Sequence, residues 1–476
     1  MLDRIQYILQ HKCFTNTSQT LLIGVSGGPD SLCLADILYQ LKIPLIVAHV
    51  NHQLREAATY EALIVKEWAQ QCRLTFELGV CNVHQFAQNN KLSIEEAARI
   101  QRYQFLFSKA QQHSAKAVVV AHTADDQVET VLMHFLRGAG LAGLRGMPYL
   151  ALPNPWSQTI PLLRPLLSTW REEVLSYCTQ HHLQPVADQS NYDTTYYRNR
   201  LRQELIPFLH TYNPQIKQVI WRTSQLAAED YQLLESQASQ TWEECLVEQG
   251  DGIVGLRLSQ IKQTPIALQR AVIRKVITQL HKSLRDVDFR TIEQVLEFIG
   301  QPTRSKNIQL SNQMRGFLEQ DVLWLMVGMD ELPVLEFIQT PTDPVDVPVP
   351  GLVELTGGWR LETKFKAFDH VESTKVYRNT DPYQAWFDAD LIKEKMVIRR
   401  RFPGDRYSPL GMNQHSIKIS DLMVNAKIPL RARQSWPIIC LGKEIVWVPG
   451  FPPSQAFCVS GSTRRLLHLL LFRQVG

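Results

Sequence analysis

Leu21-Leu22-Ile23-Gly24-Val25-Ser26-Gly27-Gly28-Pro29-Asp30-Ser31 is the stretch on which the fold turns. Leu21, Leu22, Ile23 and Val25 form a short apolar run of the kind a buried parallel strand requires. Helical spacing from Leu32 to Leu41 comes next. The adjacent glycines Gly27 and Gly28 permit backbone geometries that side-chained residues resist, so several amide N–H groups can converge on one anion. Ser26 and Ser31 add hydroxyl donors, and the helix after the loop points its positive end at the same spot. The loop has no GxxxxGK[ST] lysine and is therefore not the common P-loop. The plainer alternative is a strand-to-helix turn with Pro29 in the first helical turn. Asp30 speaks against it: a carboxylate beside bound phosphates is repelled unless a metal bridges the two or it takes part in chemistry.

Working outward, Pro44–Val50 is a second apolar run, and it ends in His49, Asn51, His52 and Arg55. The pattern predicts a helix over about 59–71, a short strand near 74–78 and a helix over 94–113 in which Glu95 supports Arg99 one turn later. Ala117–Ala121 is the next buried run and leads into His122-Thr123-Ala124-Asp125-Asp126-Gln127-Val128-Glu129-Thr130. Strand and helix alternate with crossover-length connections, which predicts an α/β fold with a doubly wound parallel sheet. Ligands of such sheets sit at the carboxyl ends of the strands. Three polar clusters fall at those ends. Asp126 and Glu129, three apart at a helix start, share one face. The helix dipole explains either one alone; the crowding of Asp125 and Asp126 beside His122 points to a cation, Mg²⁺ or an amine substrate. Gly138–Gly143 matches GxGxxG literally, but it comes after a helical pattern and lacks an acidic residue about 20 positions on, so it reads as a glycine-rich turn. In Asp188–Arg202, Arg198 and Arg202 fall on one helical face and Arg200 on another.

The 476 residues imply several domains. The predicted division is a catalytic domain over 1–212, a mainly helical middle domain over 213–330, and 331–476 as a proline-marked linker plus a small α+β domain with its core at about 390–470. Apolar residues at 45% and charged residues at 20% describe a globular chain without a membrane-length apolar run. Met1–Gln10 is amphipathic and charged, unlike a signal peptide. Eight scattered cysteines form no CxxC pair, which excludes a zinc ribbon or a thioredoxin-like pair and predicts reduced thiols in the cytoplasm. The net charge of +4 hides a concentration: Lys393–Arg433 carries ten basic and three acidic residues. Such a segment suggests a polyanionic partner, nucleic acid first, against the alternative of a solvated charged surface.

SGGPDS and the two later clusters resemble the PP-loop (N-type) ATP pyrophosphatases, which cleave ATP between the α and β phosphates. AHVNHQLRE at 48–56, EEAARIQRYQFL at 95–106, AHTADDQVET at 121–130, RGAGLAGLRGM at 137–147 and DQSNYDTTYYRNRLR at 188–202 are similar to the tRNA(Ile)-lysidine synthetases. So are RRFPGDRYSPLGM at 400–412, KIPLRARQSWPII at 427–439 and IVWVPG at 445–450, which match that family's C-terminal domain. Thr123 stands where the family often has a second histidine, and Ile417–Asp421 keeps one lysine of its lysine-rich stretch.

The resemblance implies adenylation of the wobble cytidine of isoleucine tRNA with a CAU anticodon, using ATP and Mg²⁺, and then attack of free lysine to give lysidine, AMP and pyrophosphate. It implies ATP contacts from Ser26, Gly27, Gly28, Pro29, Asp30, Ser31, His49 and His122, with Asp30 and Asp125 at the metal. Asp30, Asp126 and Glu129 would be catalytic, the last two meeting lysine. Arg55, Arg99, Arg102, Arg198 and Arg202 would serve lysine or tRNA. Arg401, Arg406, Lys418, Lys427 and Arg431 would hold tRNA, and the turn at 138–146 would accommodate the flipped base. A homodimer is left open. A PP-loop tRNA thiolase and a non-catalytic nucleotide-binding module are the alternatives; a thiolase usually needs catalytic cysteines or a cluster, and Cys33 and Cys81 have no suitable partner spacing.

Overall fold

The protein is described by a computed structural model covering all residues except 16–17, 54–56, 187–196, 282–287, 302–305, 312, 330, 334–336, 369–375, 377–378, 413–414 and 474–476. The chain separates into two compact units, Met1–Gln240 and Thr241–Gly476.

In the first unit, β1 (Leu21–Gly24), β2 (Leu45–Asn51), β3 (Thr75–Val80), β4 (Ala117–Val119), β5 (Leu150–Ala151) and β6 (Leu162–Leu163) form one sheet in the order β3-β2-β1-β4-β6-β5. Every pairing is parallel except that of β5 with β6. The helices are α1 (Leu2–His11), α2 (Pro29–Gln40), α3 (Ala57–Gln71), α4 (Val83–Asn90), α5 (Ile94–Gln112), α6 (Ala124–Leu136), α7 (Gly140–Leu144), α8 (Arg171–Gln180), α9 (Tyr197–Arg200), α10 (Ile206–Tyr212) and α11 (Ile216–Cys245). The last of these runs through the boundary between the units.

The apolar run of β1 is continuous because both of its faces are covered. Leu21 and Ile23 pack with residues of α1, α2, α3 and α8, whereas Leu22 packs with Tyr103 and Leu106 of α5. Side chains of a strand alternate between faces, so consecutive leucines enter different layers. Each such fully buried aliphatic side chain contributes about 1.5–3 kcal/mol. The strand order reverses direction between β1 and β4, the point where the crevice of a doubly wound sheet opens.

The glycine-rich turn is partly helical. Gly140–Leu144 forms α7, and a Cβ on Gly143 would come within 2.8 Å of the His134 Cβ. Gly146, at φ +64°, lies against Gln127, whose amide bonds Met147 at both its N–H and its carbonyl. These glycines let the turn pack closely on α6.

The second unit begins with β7 (Leu246–Gly250) and β8 (Ile253–Arg257), which join β9 (Asn307–Gln309), β10 (Met314–Glu319) and β11 (Val322–Val327) in an antiparallel sheet of order β7-β8-β11-β10-β9. Helices α12 (Leu258–Gln263), α13 (Ile266–Leu280) and α14 (Phe289–Gly300) accompany it. The short apolar runs Asn307–Gln309 and Val322–Val327 are two of its strands. Further on, β12 (Val345–Val347), β13 (Gly351–Glu354), β14 (Trp359–Ala367), β15 (Gln384–Asp388), β16 (Met396–Arg399), β17 (Arg406–Tyr407), β18 (Ile417–Lys418), β19 (Ile438–Leu441), β20 (Glu444–Trp447) and β21 (Arg465–Arg473) build two four-stranded sheets and one two-stranded ribbon. Both larger sheets feed one core that includes Ile398, Phe387, Trp447 and Leu467.

The proline-marked stretch is extended, as its composition suggests, yet part of it belongs to this fold: β12 pairs with β16 as an edge strand. Proline lacks the N–H that a central strand needs, which confines such a segment to an edge. Among the described residues, no helix is long and apolar enough to cross a membrane.

Candidate functional site

The chain leaves β1 through Val25, whose N–H donates to the Ala48 carbonyl of β2, and turns at Gly27 with φ +88°. Ser31 then holds the loop closed. Its hydroxyl donates to the Gly28 carbonyl at 3.0 Å, accepts from the Ser26 N–H at 3.1 Å, and lies 3.1 Å from the Ser26 hydroxyl. Pro29 occupies the first turn of α2, and Gly28 at the N-cap offers no side chain to satisfy that turn. The first N–H groups of α2 thus point out uncapped, the condition for binding an anion. Asp30 stands beside them. Its Oδ2 accepts a long 3.4 Å bond from Arg171, while Oδ1 is enclosed and has no hydrogen-bond partner among the described residues. Burial, and then the Asp126 carboxylate, push Asp30 up to about 6.

Next to the loop a cavity of about 390 Å³ opens along the ends of β1, β2 and β4. His49, only 3% exposed, is neutral because burial lowers its pKa; its Nδ1 donates to the Val25 carbonyl at 2.8 Å. That bond fixes the tautomer and leaves Nε2 as an acceptor. His52 is pushed down to about 4 by burial and then by Arg102. His122 is held well below the ordinary value by burial and by the charges of Arg164, Arg198, Arg102 and Arg99. Its Nδ1 and the Arg102 Nε are enclosed without hydrogen-bond partners among the described residues. Arg102 and Tyr103 also line the cavity. Neutral imidazoles, an aromatic ring and an unpartnered guanidinium nitrogen form a polar-edged slot suited to a planar heterocycle.

The acidic helix start resolves into two separate networks. Thr123 caps α6: its side chain accepts from the Asp126 N–H, and Asp126 Oδ2 accepts from the Thr123 N–H at 2.8 Å, a reciprocal capping box. Thr123 is thereby committed to the N-cap of α6. Asp126 Oδ1 faces Arg198 Nη2 at 3.2 Å. Glu129, 1% exposed, sits between two guanidiniums, with Arg198 Nε 2.6 Å from Oε2 and Arg202 Nε 2.6 Å from Oε1. The arginines lie on α9 and on the adjoining π-helical turn Leu201–Leu205, a rare geometry that tends to accompany functional sites.

Asp125, one residue earlier on the helix, faces elsewhere. Its Oδ2 accepts from the Arg171 backbone N–H at 2.9 Å, and its Oδ1 from Lys217 Nζ at 2.8 Å.

The structure therefore brings Asp30, His49, His122, Asp126, Glu129, Arg102, Arg198 and Arg202 to one set of strand ends, and Arg99 borders it over the Tyr103 ring at 5.5 Å. Arg55 lies outside the described residues. For a magnesium ion the fit is uneven. The orphaned Oδ1 of Asp30 is a free oxygen donor of the right kind, but both oxygens of Asp125 are engaged. Sequence reasoning missed Arg171, Lys217 and the buried Arg164, whose Nη1 donates to the Pro148 carbonyl at 3.0 Å. No local pattern marks them, since their partners lie far away in the chain.

In the second unit the basic segment is largely engaged within its own fold. Arg399 forms a bidentate pair with Asp405 at 2.8 and 3.0 Å. Arg431 reaches Glu319 at 2.8 Å, and Arg406 donates to the Ser416 carbonyl at 2.7 Å. Arg401 is half-buried, with its Nε unpartnered among the described residues, and Lys418 and Lys427 are exposed.

Known proteins resemble the chain at both ends and over its whole length. Residues 1–209 match the model of the PP-loop domain, and residues 396–469 match that of the TilS substrate C-terminal domain. The chain is 31% identical to a tRNA(Ile)-lysidine synthase of Dehalococcoides mccartyi, covering 100% of this chain and 99% of that protein. It is 29% identical to one of Caldanaerobacter subterraneus, over 98% of this chain and 97% of the other. A Geobacter sulfurreducens protein of the same name is 30% identical, over 94% and 92%.

Proposed function

The chain belongs to the tRNA(Ile)-lysidine synthase family, and from that premise we propose that it joins lysine to the wobble cytidine of isoleucine tRNA bearing a CAU anticodon. The observation that carries the chemistry is the uncapped Ser26–Ser31 loop opening into the same strand ends as the Asp126–Glu129–Arg198–Arg202 cluster. In the first step the cytidine carbonyl oxygen attacks the α-phosphorus of ATP, and pyrophosphate leaves. In the second, the side-chain amine of lysine attacks the activated ring carbon, loses a proton and expels AMP.

Each group takes its part from where it stands. Ser26–Ser31 cradles the phosphates through backbone N–H groups and hydroxyls. His49 presents a neutral Nε2 acceptor and His122 a neutral ring to the nucleotide. Asp30 would hold Mg²⁺ through its orphaned oxygen; when bound, the ion would neutralise charge on the phosphates and the leaving pyrophosphate. Arg102 serves the nucleotide or the target base, with Arg99 beside it. Free lysine carries two ammonium groups and one carboxylate, so a site holding both signs of charge suits it. Asp126, the more open carboxylate, takes the ammonium and helps remove its proton, while Glu129 keeps Arg198 and Arg202 in place for the lysine carboxylate. The turn at 138–146 accommodates the tRNA beside the flipped base. Arg401, Lys418 and Lys427 contact the tRNA backbone, with Arg406 and Arg431 shaping that surface from their internal pairs.

The thiolase alternative asks for a reactive thiol. The Cys33 thiol is buried against Cys178 and its pKa is raised, and burial raises that of Cys81. Incubation with ATP, Mg²⁺, labelled lysine and isoleucine tRNA carrying CAU tests the reading. Label entering the tRNA supports it; sulfur transfer without lysine incorporation would sink it.

A further inference from the structure

Asp125 and Arg171 have no place in that scheme, yet they are tied to it by geometry. The Arg171 backbone N–H donates to Asp125 Oδ2 at 2.9 Å, in the first turn of α8. The other Asp125 oxygen is bonded to Lys217 at 2.8 Å. From that anchored turn the Arg171 side chain reaches back to Asp30 of the phosphate loop. Its bond there is long, 3.4 Å, and the side chain is 41% exposed. A guanidinium held at its backbone but loosely at its tip, beside uncapped helix N–H groups, is placed to turn from a carboxylate to a phosphate. Arginine's planar fork matches phosphate oxygens well.

We infer that Arg171 is a further phosphate-binding residue of the ATP site, and that Asp125 is the positioning residue that fixes the first turn of α8 and so aims it. Asp125 then acts through Arg171 rather than as a metal ligand. The inference rests on the reading of this site as ATP-consuming.

A double-mutant cycle in the full-length protein, supplied with isoleucine tRNA carrying CAU, tests it, with pyrophosphate release measured against ATP and against Mg²⁺, and backbone amide exchange measured over α8. Arg171→Ala should raise the KM for ATP about tenfold or more, the scale of a lost charge-assisted hydrogen bond. Arg171→Lys should recover part of that. Asp125→Ala should raise the same KM and speed exchange of the Arg171 amide. Asp125→Asn should fall within about threefold of the wild type, because its amide oxygen still accepts from that N–H. The Asp125→Ala/Arg171→Ala double variant should be no worse than Arg171→Ala alone, as for two residues acting through one contact.

An unchanged KM in Arg171→Ala overturns the phosphate role. Additive losses, or a Mg²⁺ requirement raised equally by Asp125→Asn and Asp125→Ala, overturn the positioning role and make Asp125 a metal ligand. Wild-type protein that releases no pyrophosphate refutes the ATP reading itself. In that case unaltered amide exchange in Asp125→Ala still decides against positioning, and faster exchange decides for it.

Discussion

Glu129 is where the site should be most fragile. Its carboxylate is 1% exposed and accepts two charge-assisted bonds of 2.6 Å, from Arg198 and from Arg202. Glu129→Ala would leave two guanidiniums facing a buried void. Breaking a buried pair by removing one partner costs about 3–5 kcal/mol. Arg198 and Arg202 retain side-chain exposures of 27% and 33%, so solvent offsets part of the loss and the lower end applies. For a folding unit of this size, about 3 kcal/mol lowers the melting temperature by roughly 6–12 °C. Glu129→Gln keeps one good acceptor and should lose about half as much. Thermal unfolding of the full chain, monitored by circular dichroism, reads the shift, and lysine titration of the labelled-lysine assay reads the site. A shift below about 2 °C in Glu129→Ala would refute the view of Glu129 as the anchor of both arginines. In that event the 2.6 Å bonds would contribute no more than surface pairs do.

Three other outcomes are expected. Asp30→Asn should abolish pyrophosphate release while tRNA affinity in a filter-binding assay stays within about twofold. Lys418→Glu and Lys427→Glu should each weaken tRNA binding and lower the slope of log affinity against log salt by about one, as for a lost phosphate contact. His52 has a folded-state pKa of about 4 against 6.5 for the free imidazole. The unfolded chain therefore takes up the proton first as pH falls, so this residue's share of stability is full above pH 6.5 and is lost toward pH 4. Denaturant midpoints measured across that window should fall less steeply in His52→Gln.

How much could be read from residues alone depends on how each signal is written in the chain. The run Leu21–Val25 announces a strand buried on both faces because both faces must be apolar, and the polar clusters behind three such runs mark the strand ends. A capping box spans three positions, so Thr123 and Asp126 are legible together. The Asp125–Arg171 and Asp125–Lys217 contacts join residues 46 and 92 positions apart, and no periodicity encodes them. Charge counting likewise says where arginines are, and not which are already paired. In the basic segment Arg399 and Arg431 meet Asp405 and Glu319 inside the second unit, and only the folded arrangement separates those from exposed Lys418 and Lys427. The middle sheet shows why short apolar runs are ambiguous: β9 and β11 gain their meaning from partners elsewhere in the chain.

The π-helical turn Leu201–Leu205 makes chain length itself a functional variable. Arg198 and Arg202 precede or open that turn, whereas Ile206 and Leu209 lie beyond it on α10, in one apolar cluster with Val128 and Leu132 of α6. Each helical residue advances the face by about 100°. Deleting Gln203 would leave every charged side chain of the Glu129 clamp in the sequence, with Arg198 and Arg202 still four apart. It would nonetheless rotate the helix downstream of the deletion by about a third of a turn. The Glu129 clamp and the packing of Ile206 and Leu209 with Val128 and Leu132 would then ask for two incompatible phases of one helix. Substitutions of the exposed Gln203 and Glu204 should thus be tolerated far better than a one-residue deletion, so a gap at this point between related sequences marks a change of site geometry rather than a neutral trimming of a loop.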